Sequence, residues 1–159
     1  YWDKWLIKDG LTLSPNYTVT AKLNFQTGVA DRAGITIGWK DVTLDRIDIQ
    51  PNVAGDDIEF RASAGIGSSY TVSGSATTGG GLPINANTDY WLRVSTSIAA
   101  NGDGVLVVSW STDGVHFSEV ERAVGPSLGG QAMVGQVGFG TAGPNMPNVW
   151  FDDFTVTEP

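Results

Sequence analysis

The chain has 159 residues, 41% hydrophobic and 16% charged, with a formal net charge of −8. That suits one domain with its own core and is too apolar for a disordered segment. The acidic balance leaves no basic patch to collect phosphates, which argues against nucleic acid and anionic membrane, and the lack of cysteine removes disulfides and zinc-thiolate sites.

The elements follow one another with period two. In YTVTAKLNF, from Tyr17, the residues Val19, Ala21, Leu23 and Phe25 share a face, which predicts a strand with one buried side. RAGITIGW does the same with Ala33, Ile35, Ile37 and Trp39. LDRIDIQ puts Ile47 and Ile49 on one side and Arg46, Asp48 and Gln50 on the other; IEFRA groups Ile58, Phe60 and Ala62. A Gly-, Ser- and Thr-rich loop runs from about Ser73 to Asn87. YWLRV then turns Tyr90, Leu92 and Val94 inward and Trp91 and Arg93 outward. GVLVVSWS, MVGQVGFG and VWFDDFTV complete the strands, and TAGPNMPN (141–148) is a second loop. Turn signals fall between the runs at Asp9-Gly10, Asn101-Gly102-Asp103-Gly104, Asp113-Gly114 and Gly129-Gly130.

No helical periodicity, fixed repeat or apolar run of the ~18 residues that span a membrane interrupts this pattern. About ten or eleven short strands predict an all-β, two-sheet antiparallel β-sandwich, a jelly roll, as a single domain over 1–159. The chain opens at Tyr1 without Met and closes on Thr-Glu-Pro, which reads as the start of a linker. The expectation is a monomeric module excised from a longer protein, with neighbouring domains attached to it.

Six stretches carry a resemblance through their order and spacing: Asp9-Gly10-Leu11-Thr12, Ala33 to Gly38, Tyr90 to Val94, Ser111 to Phe117, Gly135 to Thr141 and Phe151 to Val156. Together they resemble the concanavalin A-like lectin/glucanase superfamily, in its laminin G-like bacterial branch, over nearly the whole chain. The resemblance implies a jelly roll with one concave sheet, set in a secreted or cell-surface protein, and extracellular in location. Many relatives are non-catalytic carbohydrate-binding modules, and many hold a structural calcium.

Glycosidases of this superfamily place a Glu-x-Asp-x-Glu cluster on one strand, and retention needs two carboxylates about 5–5.5 Å apart. With Asp48 on the central position, Arg46 and Gln50 occupy the outer two, and neither replaces a catalytic carboxylate. Asp56, Asp57 and Glu59 lack the spacing. The polar set is then a solvated strand face or a sugar-binding one, with Arg46, Asp48 and Gln50 beside Glu59 and Arg61 of the next strand offering directional hydrogen bonds. His116 is the lone histidine and sits in the STDGVHF turn with no nucleophile elbow near it; the turn itself resembles the structural aspartate-box turns of sialidases.

Sugar rings stack on aromatic planes, so six Trp and four Tyr are generous for one domain. Trp91 is the leading exposed candidate, with Tyr70, Trp2 and Trp5 behind it; Trp39 and Trp110 alternate with apolar partners and read as core. Asp152 and Asp153 adjoin, so they are expected to point to opposite faces, one of them needing a partner. With Asp3 or Asp9, if the last strand lies near the first as the resemblance implies, they would form a Ca²⁺ shell of six to eight oxygens; the alternative is a Lys4 or Lys8 ion pair, or two solvated carboxylates.

These observations lead to the expectation of a non-catalytic module that binds carbohydrate. A structural or adhesion domain that binds a protein or acts as a spacer is the second reading, and a glycosidase or polysaccharide lyase the third. A lyase needs clustered Arg or Lys with Tyr and often His, and nine basic residues spread thinly along the chain show no such cluster.

Overall fold

The computed structural model describes residues 4–8, 13–26, 32–39, 46–52, 57–63, 85–128, 133–142 and 149–159. Within them lie β1 (Lys4–Ile7), β2 (Tyr17–Phe25), β3 (Arg32–Trp39), β4 (Arg46–Asn52), β5 (Asp57–Ser63), β6 (Asp89–Ile98), β7 (Gly104–Ser111), β8 (Ser118–Gly125), β9 (Gln136–Ala142) and β10 (Val149–Thr157), with one 3₁₀ turn at Pro126–Leu128. All pairings are antiparallel. One sheet has the order β1-β9-β3-β4-β5 and the other β10-β2-β6-β7-β8. This is the expected two-sheet β-sandwich.

The alternation in the sequence is what builds the core. Val19, Ala21, Leu23 and Phe25 of β2, Leu92 and Val94 of β6, and Leu106 and Val108 of β7 are fully buried, while their neighbours on the same strands are half-exposed. Ala33, Ile35 and Ile37 of β3 and Val137 of β9 meet them from the other sheet in one cluster. Tyr90 stacks on Trp110 at 4.9 Å, and Phe139 of β9 stacks on Phe151 and tilts against Phe154, both from β10. Such burial and aromatic contact are the main favourable terms in folding. Tyr17 closes one end of the core, and its hydroxyl donates to the Met133 carbonyl at 2.9 Å.

The turn between β6 and β7 sits where the sequence places it. At Asn101-Gly102, Gly102 has φ +89°, a conformation that costs glycine nothing. Gly104 lies directly under the 3₁₀ turn, where an added Cβ would overlap the Leu128 backbone.

β8 was not among the expected strands. It is an edge strand, and a bulge leaves Val120 without a partner between Val108↔Glu121 and Ser109↔Glu119. The bulge interrupts the alternation at Val120, and it resumes beyond it, with Ala123 buried and Val124 47% exposed.

Candidate functional site

The expected site residues divide between the two sheets. Arg46, Asp48 and Gln50 lie on β4, and Glu59 and Arg61 on β5. These strands pair as expected: Asp48 stands opposite Arg61, Gln50 opposite Glu59, and Arg46 opposite Ser63. On the other side of β4, Asp48 is in register with Thr36 of β3, and Thr36 with Gly138 of β9. One row thus runs Gly138, Thr36, Asp48, Arg61. In the next row, Gly34 pairs with Gly140, so the two central strands are nearly free of side chains there. The Thr36 hydroxyl is buried and has no hydrogen-bond partner. A buried, unsatisfied polar atom is costly, and such atoms concentrate at functional sites.

The strands of this sheet carry Lys4, Arg32, Arg46 and Arg61 against Asp48, Asp57 and Glu59. Those of the second sheet carry Lys22, Arg93 and Arg122 against Asp89, Glu119, Glu121, Asp152 and Asp153. The strands of the first sheet are thus close to balanced in charge and those of the second are acidic.

Trp91 and Arg93 project from the second sheet, and both are occupied by their own fold. A Cβ on Gly114 would come within 2.9 Å of the Trp91 ring, and the Lys22 ammonium sits 5.2 Å from its centroid. The Arg93 guanidinium lies 3.4 Å from the Phe117 ring centroid. Tyr70, Trp2, Asp3 and Asp9 lie outside the described residues.

Asp152 and Asp153 do not point to opposite faces, which corrects the expectation from simple alternation. Between Asp152↔Lys22 and Thr155↔Thr20 strand β10 has one residue more than β2. Asp153 takes φ +48° at this bulge, so both carboxylates stay exposed while Phe151 and Phe154 both turn towards the core. Lys22 stands opposite Asp152 in the β2–β10 register. Its ammonium is 2.8 Å from Asp89, and this contact first, then the charges of Asp89, Asp153 and Asp152, hold its pKa above the usual lysine value. Asp89 is held below the usual carboxylate range by Lys22 and then by Asn24. Among the described residues no three His, Cys, Asp or Glu side chains converge as a metal site, so Asp152 and Asp153 supply only part of the oxygens a calcium needs.

Sequence reasoning missed a group around these carboxylates. Lys22, Asn24, Gln26, Asp89, Trp150 and Asp152 line a pocket of about 290 Å³, and Trp150 is 70% exposed. Lys22 and Asn24 alternate with the core residues of β2, and that phase was the available signal.

The remaining candidates for proton transfer are placed away from chemistry. His116 is exposed in the β7–β8 turn, its Nδ1 2.7 Å from Asp113 Oδ2. Ser111, Asp113 and Gly114 brace this turn through side-chain to backbone hydrogen bonds, the structural role expected for it. Burial raises the Tyr17 pKa well above that of a free phenol, and Tyr90 is in the core, its hydroxyl accepting from Asn85 N.

No protein-family model matches the chain, and no curated protein does. Among solved structures, the marine PL-14 alginate lyase from Aplysia kurodai is similar with a TM-score of 0.56 at 13% identity, over 91% of this chain and 70% of that one. A substituted form of the alginate lyase Aly36B, in complex with an alginate tetrasaccharide, gives a TM-score of 0.48 at 16% identity, over 93% and 72%. The chain shares its β-sandwich fold with the first of these. The finding overturns two expectations, that the chain is a non-catalytic binding module and that it is not an enzyme. The glycosidase carboxylates are absent, with Arg46 and Gln50 in their places, and the lyase reading stood third because the basic residues are spread thinly along the chain. That absence excludes one glycosidase mechanism, whereas lyases on this frame eliminate rather than hydrolyse and need no such pair.

Proposed function

We propose that this domain is a polysaccharide lyase acting on a uronate-containing polysaccharide, with its site along β4 and β5 of the first sheet. The observation that carries the reading is the pair Arg46 and Arg61 on adjacent strands at neighbouring register positions, Arg46↔Ser63 and Asp48↔Arg61, beside a glycine-rich pair of strands. The likeness to an alginate lyase fold supports it.

Elimination takes the proton α to the uronate carboxylate. The freed electron pair forms a C=C bond, and the glycosidic oxygen on the β carbon leaves and takes a proton. The α proton is weakly acidic while the carboxylate is charged. A guanidinium such as Arg61 or Arg46, or the Gln50 amide, stabilises the charge that develops. Asp48 and Glu59 occupy the intervening positions, where they orient the basic groups and bind sugar hydroxyls. The base must be a phenol, imidazole or similar group. Tyr17, Tyr90 and His116 are placed elsewhere, so Tyr70, which follows β5 in the chain, is the first phenol to test.

Within the superfamily, the order of the six sequence motifs supports the laminin G-like bacterial branch for this chain. An extracellular setting suits a polymeric substrate.

The test is incubation of the chain with alginate, polygalacturonate and glucuronan, reading the ultraviolet absorbance of the unsaturated product and its mass. Turnover of at least one is expected, with Arg61→Ala and Tyr70→Phe each slowing it about a hundredfold or more. If no polyuronate yields an unsaturated end, the lyase reading is wrong.

A further inference from the structure

The pocket on the second sheet is separate from β4 and β5, and the elimination has no use for it. We propose that it is a binding site for an uncharged glycan, with Trp150 as the stacking platform. This inference does not depend on the lyase reading.

Trp150 is the first reason. Trp110 stacks on Tyr90, and Trp91 lies between Lys22 and the Gly114 turn. Trp150 remains 70% exposed at the pocket wall. A large exposed ring has no folding advantage, whereas the apolar face of a pyranose would cover it.

The polar part of the pocket is already in order. Gln26 Nε2 donates to Asn24 Oδ1 at 2.6 Å, Asn24 Nδ2 donates to Asp89 Oδ1 at 2.6 Å, and Asp89 Oδ2 meets Lys22 Nζ at 2.8 Å. Asn24 and Lys22 project from one strand and Asp89 from its neighbour, in register as Asn24↔Asp89. The chain fixes side-chain rotamers in advance and leaves acceptors and donors on Gln26, Lys22 and Asp152 for hydroxyl groups, which lowers the entropy lost on binding. The bulge that holds Asp152 at the pocket keeps a non-glycine residue, Asp153, at φ +48°. Strained backbone of this kind persists where the surrounding structure imposes it, and it clusters at binding sites.

Charge decides the class of glycan. Among the described residues Lys22 is the one cation lining the pocket, and Asp89 already neutralises it. Asp152 at the rim and Asp153 beside it leave the site negative. A uronate would be repelled here, and a neutral hexopyranose chain would not. The two faces of the sandwich thus select different sugars.

The test is ¹H–¹⁵N NMR of the whole chain, titrated with cellohexaose, laminarihexaose, mannohexaose and an alginate hexasaccharide. At least one neutral probe should shift the Trp150 indole N–H and the side-chain amides of Asn24 and Gln26. Trp150→Ala should weaken binding about tenfold or more, and Trp150→Phe less, because a ring remains. Asn24→Ala is the second variant and should weaken binding as well. Polyuronate turnover should be unchanged in all three, which separates this site from the lyase site. The proposal is overturned if no neutral probe shifts these signals at about 10 mM, if Trp150→Ala binds as tightly as the parent, or if the alginate hexasaccharide is the probe that binds there.

Discussion

Asp113 shows how one carboxylate holds a turn. Its Oδ1 accepts from Val115 N and His116 N at 2.8 Å each and from Ser111 Oγ at 2.9 Å, while His116 Nδ1 lies 2.7 Å from Oδ2. The His116 side chain first, and then these backbone donors, hold the Asp113 pKa well below the usual carboxylate range. A depressed carboxylate contributes stability that is fully present above its unfolded value and is lost as pH falls through the folded one. Acid should therefore loosen this turn only below the range where free aspartates protonate. Asp113→Asn should lower the melting temperature at neutral pH and flatten its acid dependence, as read from thermal melts at a series of pH values; equal acid slopes in variant and parent would refute this. In the core, Leu92→Ala should cost about 2–5 kcal/mol by urea unfolding, because a fully buried side chain leaves a cavity. Tyr17→Phe should cost about 1–2 kcal/mol, since the Met133 carbonyl then loses its donor in a dry site.

At the scale of the element, β10 departs most from its sequence pattern. Simple alternation would bury one of Asp152 and Asp153; one extra residue and a left-handed Asp153 let both remain in water. Asp153→Gly should be neutral or stabilising by up to about 1 kcal/mol, because glycine accepts φ +48° without strain, whereas Asp153→Val should destabilise by about 1–2 kcal/mol or more. If valine is tolerated as well as glycine in denaturant titrations, the bulge is not held in this conformation in solution. β8 is the second departure. Its bulge at Val120 interrupts the alternation that identified β2, β6 and β7. Both bulges lie on the second sheet, where one shapes the Trp150 pocket.

At the scale of the whole molecule, one apolar cluster draws residues from both sheets, so neither sheet has a core of its own. Tryptophan fluorescence and far-ultraviolet circular dichroism should therefore report a single, coincident urea transition. Two separated transitions would show that the sheets unfold independently. The charge is also divided at this scale: the second sheet holds most of the acidic strand residues and the first the more basic set. That division leads to opposite assignments for the two faces, a polyuronate on one and a neutral glycan on the other.

Sequence alone determined the fold class, a strand count that fits the ten among the described residues, and the inward residues of β2 and β6 with Ala33, Ile35 and Ile37 of β3. Period-two burial is a local property, and it survives wherever a strand is regular and one of its faces is dry. It also determined that β4 lacks the glycosidase carboxylates, because residue type at a spacing of two can be read directly from DRIDIQ. Only the tertiary structure decided which strands are neighbours, and with that the fate of the candidate site. Trp91 and Arg93 looked free by phase, yet Gly114, Lys22 and Phe117 occupy them from elsewhere in the chain. Asp48 and Arg61 became one row, and Lys22, Asp89 and Trp150 one pocket, through pairings between strands distant in sequence. Long-range register depends on the twist, the bulges and the shared core acting together, and no short window of sequence contains them.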